Sequence, residues 1–490
     1  MKRRWRFMEG EAKGNGIVKL IVHFIIMLGI VFGFRVLPAP GSVTPYGMAV
    51  AGVFLGLVYG WTFLDIFWTS LLGVFLLALT GYGSCEAILI AMFSNSTVLM
   101  MLMGILAFGA VLQSGAGDWV MGKLLGSKIA QKSPTMIVTF ILLAGIIGNI
   151  LGLSWFLYFG MFPILSQAMK KCGYEKGDKF VYFVLAGFLM AVQLGMSAFP
   201  FRGWGLMICG SIMSMTKVPI NYGMYIVIMV LIYALFVLSY PFLMKVCGCD
   251  FSKISNLNVS EAFGVKESGM NKKQKLSLLS LLVFVATVIS MSLLNTYVPA
   301  LSWLNTQITI LGLMILLLVF VLVVKVDGKP LLDIREASKG FTWDMLFLIA
   351  IALLISNVLT SQETGISAWL SGLIAPLFPS GGVIFLLALA ILTTVLTNVC
   401  NNIAVCFIMI NIVSSMYMNG FDVNLLAAVI VISLTTTICA FLTPASSMPG
   451  AMLHADENLT AATVYKGTVI LMLYSIILLM VILVPYVMLA

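Results

Sequence analysis

The chain has 490 residues, of which 61% are hydrophobic and only 9% charged. Soluble domains carry roughly 25% charged residues, so a water-soluble fold is excluded. The net charge of +9 does not point to nucleic acid, because Lys and Arg sit in short clusters between apolar runs, as positive-inside placement requires.

The apolar runs are about 20 residues long, enough to cross roughly 30 Å of hydrocarbon. They are continuous rather than alternating, so they read as helices and not as barrel strands. The expected class is an all-α polytopic membrane protein. Hydropathy places spans at 17–36, 43–61, 64–82, 97–114, 180–215, 222–246, 276–298, 306–325, 342–360, 423–455 and 464–489, eleven in all. Lys2, Arg3, Arg4 and Arg6 precede the first run, which lacks a small-residue cleavage site. That run is expected to be a retained helix with a cytoplasmic N-terminus.

Two further stretches, 134–170 and 380–418, are broken midway by GNILGLSW and TNVCNNIA. Lys123, Lys128 and Lys132 precede the first, and Lys170, Lys171, Lys176 and Lys179 follow it. No Lys or Arg flanks the second from Gly340 to Val464. The first is therefore expected to be a re-entrant hairpin from the cytoplasm and the second one from outside. Of the 27 basic residues, only Arg35 and Lys217 then fall outside and only Arg202 falls within a span. The C-terminus is expected outside, in a multi-pass protein of the plasma membrane.

The halves repeat. Gly115-x-x-x-Trp119 matches Gly365-x-x-x-Trp369, Ser154 matches Asn402, and Pro200 in LGMSAFPFRGWGLM stands opposite Pro444 in ICAFLTPASSMPGAM. Three landmarks in order, at slowly drifting offsets, make an internal repeat, and opposite flanking charge makes it an inverted one. Such repeats place a substrate site near the midplane, at broken helices. The expected organisation is N-terminal scaffold spans over 1–95 and a first repeat over 96–247 with hairpin 134–170 and broken helix 180–215. A cytoplasmic linker (248–275) and scaffold spans (276–340) lead to a second repeat (341–490) with hairpin 380–418 and broken helix 423–455.

The span ending SGAGDW, the run Met161-Phe162-Pro163-Ile164, the segment TNVCNNIAVCFIMINI and the segment AFLTPASSMPGAML together resemble the divalent anion/sodium symporter family of the ion transporter superfamily. The resemblance covers nearly the whole chain. It implies a homodimer with a fixed scaffold and an elevator-like transport domain. It also implies carriage of dicarboxylates, citrate or sulfate by sodium symport or exchange. The family has Ser-Asn-Thr at each hairpin tip. Here Asn401-Asn402-Ile403 stands at the second tip, and Leu153-Ser154-Trp155 at the first, where the Asn is lost.

A sodium ion prefers about six oxygens. Thr397, the carbonyl of Cys400, Asn402 and Ser446 could supply them, with Ser447 opposite. Ordinary hydrogen bonding between helices accounts for the same residue types, and Thr435–Thr437 is read as lining a pathway at most. Arg202 is the sharpest residue. An intramembrane Arg costs at least ~2.5 kcal/mol and cannot deprotonate. It lies beside Pro200, Gly203 and Gly205, with no acidic neighbour in sequence. An unpaired guanidinium there reads as an anion receptor, able to bind a carboxylate bidentately. The substrate set is then Arg202, Gly203, Ser154, Asn401, Asn402 and Ser447.

The only acidic residues in spans, Asp65 and Asp344, lie at their ends, which disfavours a sodium/proton antiporter. No paired carboxylates, phosphate loop or catalytic triad argues for an enzyme. Cys247 and Cys249 form a lone CxC, and His23 and His454 are isolated, so no transition-metal site is expected. Sodium is the sole candidate cofactor. The expected partners are a small anion, the bilayer and a second copy of the chain, with an inorganic anion as the alternative cargo.

Overall fold

The structure is a computed structural model, describing residues 15–257, 269–294, 297–339, 343–374, 382–399, 402–444 and 446–489. The sequence's Cys400 and Asn401, and the basic N-terminal residues, lie outside the described residues. Helices dominate, and the sole sheet among the described residues pairs β1 (Lys325–Val326) with β2 (Lys329–Pro330).

In chain order the helices begin with α1 (Asn15–Gly33), α2 (Pro45–Phe63), α3 (Ile66–Ala78), α4 (Cys85–Phe93), α5 (Ser96–Ser114) and α6 (Ala116–Leu125). The first hairpin follows as α7 (Pro134–Ile150), then α8 (Ser154–Phe156), which runs through a π-helical turn into α9 (Phe162–Lys171). Next come α10 (Lys179–Met196), α11 (Gly203–Thr216), α12 (Tyr222–Val246), α13 (Lys272–Leu294), α14 (Pro299–Trp303), α15 (Thr309–Val323), α16 (Ile334–Lys339) and α17 (Trp343–Leu359). The chain closes with α18 (Ile366–Ile374), α19 (Gly382–Val399), α20 (Asn402–Met418), α21 (Leu425–Thr435), α22 (Met448–Ala455) and α23 (Ala461–Leu489).

Five of these helices and the continuous helical run Pro299–Val323, which holds α14 and α15, are long and apolar enough to cross a membrane, six in all, or seven with the bent pair Cys85–Phe93 and Ser96–Val111 counted as one. Seven more are apolar but shorter. The sequence reading of eleven spans counts apolar runs, several of which fold as the shorter helices, and 180–215 and 423–455, read as broken helices, are interrupted. The chain unwinds after Met196 and after Thr435 and resumes at Gly203 and Met448.

A helix that is apolar all round is buried in protein or faces lipid. Two helices are buried in protein on every side. Phe180–Gly195 of α10 and every residue of α21 are buried. They form the centre, and both lead into the unwound segments. Small residues let α7 approach α10 closely, as in membrane helix packing. A methyl on Gly145 would lie 2.8 Å from Ala191 Cβ, and one on Gly195 would lie 2.5 Å from the Ile146 carbonyl. The outer helices present their apolar side chains outward instead, with Leu238, Phe242 and Leu473 60–76% exposed. Such a surface is stable against lipid and not against water.

Capping follows the rules for helix starts. Ser133 precedes Pro134 and accepts from the Met136 amide, and Asn424 accepts from the Ala427 amide. The Gly-x-x-x-Trp landmarks share one geometry. Gly115 (φ +69°) and Gly365 (φ +66°) stand before α6 and α18 in the left-handed region, where only glycine sits without strain. At Gly365 a side chain is also blocked by space, since its Cβ would fall 1.8 Å from the Ser42 carbonyl.

Candidate functional site

The two unwound segments, 197–202 and 436–447, meet at the centre. Gln193 Nε2 donates to the Thr437 carbonyl at 3.4 Å, and Trp204 Nε1 donates to Thr436 Oγ1 at 3.2 Å. Buried backbone that leaves a helix must find other partners, and each break finds them in its own way. In the first, Tyr225 and Tyr233 donate to the carbonyls of Ser197 and Leu194 at 2.7 and 2.9 Å. In the second, Ser446 Oγ donates to the carbonyls of Ala440 and Thr443 at 2.7 Å, and Ser447 Oγ donates to that of Ala440. His454 Nε2 lies 3.2 and 3.1 Å from the carbonyls of Phe441 and Leu442. Those neighbours are acceptors only, so Nε2 carries the proton.

Each hairpin tip abuts the break of its own half. At the second tip, Asn398 accepts from the amides of Phe441 and Leu442 at 3.0 and 2.9 Å. Its carbonyl accepts from Thr443 Oγ1 at 3.1 Å, and the Asn402 amide donates to the Ser446 carbonyl at 3.0 Å. At the first tip, Asn149 Nδ2 donates to the Val192 carbonyl at 2.8 Å, and Ser154 Oγ donates to Asn149 Oδ1 at 3.2 Å.

Arg202 is the first tip's link to its break. It stands in extended conformation just before α11. Its NH1 donates to the Ile150 carbonyl at 2.6 Å, its NH2 lies 3.0 Å from where a Cβ on Gly152 would sit, and its guanidinium carbon is 5.1 Å from the Phe108 ring centroid. Gly152 has φ +90°, so this turn of the tip tolerates no side chain, and its absence leaves room for the guanidinium. Arg202 is half-buried and the adjacent Gly203 is exposed. Among the described residues no Asp, Glu, Lys or His is buried, and no carboxylate pairs with Arg202. A guanidinium has five N–H donors, and one is used here. Close by, the buried hydroxyl of Ser197 has no partner.

The residues singled out in the sequence thus fall into two groups. Arg202, Gly203 and Ser154 come together at the first tip. Asn402, Ser446 and Ser447 come together at the second, with Thr397 meeting the start of the same break at Thr436. Thr397 Oγ1 is fully buried and bonds weakly, at 3.4 Å, to the Thr436 carbonyl. The Asn402 side-chain amide has no partner among the described residues. Ser446 and Ser447 are occupied by the break, and Ser447 also caps α22 by accepting from the Gly450 amide at 3.0 Å. Cys400 and Asn401 lie outside the described residues.

Sequence reasoning missed Asn149, Asn398, Gln193, Trp204 and His454. The first two had a signal. Their numbers differ by 249, within the range of offsets set by the other landmarks, and both end the first helix of a hairpin. No group of three or more His, Cys, Asp or Glu side chains able to hold a metal occurs among the described residues.

Comparison with known proteins supplies the family. The model of the citrate transporter family matches residues 49–433. The chain is similar to a solved structure, that of the YdaH transporter of Alcanivorax borkumensis. The identity is 14% and the TM-score 0.49, over 80% of this chain and 86% of that one. No curated protein matches. A match over both hairpins and most of the helices makes this a multi-pass membrane protein that transports anions and is not an enzyme, and the chain belongs to the citrate transporter family.

Proposed function

We propose that the protein is a secondary active carrier of a di- or tricarboxylate, citrate being the first candidate, with Arg202 as the receptor for one carboxylate. The observation that carries this is the guanidinium at the first tip, which has no carboxylate partner and has spare donors, beside exposed Gly203. A bidentate Arg–carboxylate pair in a place of low dielectric is among the stronger polar contacts. The Asn402 amide offers a further donor from the second tip, with Asn401 beside it in the chain. Ser154 and Ser447 complete the proposed substrate set by turning their hydroxyls from Asn149 and the Ala440 carbonyl to donate to the bound anion.

Coupling is by sodium symport or anion exchange. The second half has the residue types to supply oxygens to a sodium ion, in Thr397, Asn402 and Ser446, with the carbonyl of Cys400 added from the sequence. In the first half the fixed charge of Arg202 stands in for a cation, so fewer sodium ions are coupled than in two-site relatives within the divalent anion/sodium symporter family. The carrier is an elevator-type homodimer in the plasma membrane, with a cytoplasmic N-terminus, an outside C-terminus and inverted repeats. The scarcity of buried acids disfavours a sodium/proton antiporter. An inorganic oxyanion such as sulfate is the second cargo class, since a guanidinium also pairs with it.

The test is thermal unfolding of the purified protein against citrate, smaller dicarboxylates and sulfate, with and without sodium. A ligand that binds only the folded state raises the melting temperature by mass action, by about 2.7 kcal/mol of stability at 100 times Kd. Carboxylates should shift wild type and leave Arg202→Ala unmoved. No shift with any carboxylate refutes the assignment.

A further inference from the structure

α5 and α11 lie against each other in opposite directions. At one end Phe108 faces Arg202. At the other, a Cβ on Gly210 would lie 2.1 Å from Thr97 Oγ1, and Asn95 Nδ2 donates to Ser214 Oγ at 3.3 Å. That far end opens into a cavity of about 280 Å³ lined by Asn95, Ser96, Thr97, Ser214, Lys217 and Tyr222, among others. This is just below the usual size of ligand sites, about 300–1,000 Å³, and suits a small ion. α11 has 14 residues, so the cavity lies about 21 Å along the helix from Arg202.

The lining is rich in donors and one-sided in charge. Lys217 is the sole charged residue in it, and no acid lines the cavity. As the residue ending α11, Lys217 already complements the helix dipole. Capping does not explain two further features. Thr97 is only 3% exposed, yet its hydroxyl has no protein partner among the described residues. Tyr222 is 5% exposed, and its hydroxyl meets only the sulfur of Met213, at 3.7 Å. Buried hydroxyls normally find oxygen or nitrogen partners. Two that do not, around a cavity whose one charged lining residue is the exposed Lys217, describe a receptor for a small oxyanion. The backbone of Lys217 is also held in the left-handed region, at φ 60°, which is uncommon for a residue with a side chain.

We propose that this cavity is a second anion site, a vestibule that takes one carboxylate of the transported anion at the membrane surface before it reaches Arg202. The proposal rests on the reading of the protein as a carboxylate carrier. An ammonium among hydroxyls, with no competing acid, raises the local concentration of anions at the mouth of the path. It binds more weakly than the Arg202 fork, as a point charge does, so the anion can move on.

The test uses labelled citrate uptake into membrane vesicles of opposite orientation, comparing wild type with Lys217→Gln and with Ser96→Asp, which places a negative charge on the exposed rim. Both variants should raise KM at least about fivefold in one orientation only, with Vmax unchanged. Ser96→Asp keeps the test sound if the Gln variant folds poorly, and melting temperatures of both check the fold. The same KM rise should persist in proteoliposomes of purely neutral lipid. A rise seen only with anionic lipid would assign the cavity to a headgroup and overturn the proposal. Unchanged KM in both variants would overturn it as well. Arg202→Ala, run in parallel, separates the two readings. If it abolishes uptake while Lys217→Gln and Ser96→Asp behave as wild type, the vestibule alone is refuted. If wild type takes up no carboxylate, the carrier reading fails and the vestibule with it.

Discussion

Replacing Arg202 by Ala should abolish anion binding and leave the fold intact. The change removes the hydrogen bond to the Ile150 carbonyl and the contact with the Phe108 ring. A bond from a charged donor is worth about 1.5–3 kcal/mol, and a cation–π contact about 0.5–2 kcal/mol. Against these losses, an intramembrane Arg costs about 2.5–3.5 kcal/mol to place. The terms nearly cancel, so the melting temperature without ligand should move by only a few degrees. Anion binding has no such offset. Truncating one partner of a buried charge pair costs about 2–5 kcal/mol, which is roughly a 30-fold to several-thousand-fold loss of affinity at about 1.4 kcal/mol per tenfold. Isothermal titration of the detergent-solubilised protein with citrate measures it. Arg202→Lys keeps the charge without the fork and should fall between the two. An Arg202→Ala protein that melts like wild type and binds citrate with wild-type affinity would refute the reasoning.

Asn398→Ala should be costlier to stability than Asn402→Ala, because it strands the amides of Phe441 and Leu442 at about 1–3 kcal/mol each; chemical denaturation in mixed micelles that ranks them equal would contradict this. Asn402→Ala should instead weaken any sodium dependence of uptake, read from initial rates against sodium concentration, with the fold preserved. Gly365→Ala should be among the more damaging surface-helix changes, since the backbone has φ +66° and the new methyl meets the Ser42 carbonyl; expression and melting temperature report it. In a cysteine-free background, single cysteines at Glu175 and Met418 should react with a membrane-impermeant maleimide from opposite sides, and reaction of both from one side would sink the inverted arrangement.

Much of the architecture was legible because lipid leaves few choices to a backbone. The interruption at GNILGLSW coincides with the gap between Ile150 and Ser154. Arg202 also stood out, because a charge in an apolar run is costly and its one bland explanation is snorkelling to an interface. What escaped was the division of labour among the polar residues. Ser446 and Ser447 looked like ligands, yet an unwound segment must first satisfy its own carbonyls, and both hydroxyls serve Ala440. Asn398 was passed over for Asn402 because the latter stood in a familiar motif position. Only three-dimensional contact shows that the Asn398 side chain clasps the break. The exact points at which the two broken helices unwind were not legible, for a related reason. Hydropathy does not fall where α21 ends, since Ile438, Cys439 and Phe441 stay buried beyond the last helical residue.

The central claim is that this protein carries carboxylate anions by alternating exposure of one site that depends on Arg202. Counterflow in proteoliposomes tests it most directly: vesicles loaded with unlabelled citrate are diluted into a trace of labelled citrate. The account predicts transient accumulation of label that saturates with citrate and vanishes in Arg202→Ala. Uptake that ignores internal citrate and never saturates, or that persists unchanged in Arg202→Ala, would contradict it.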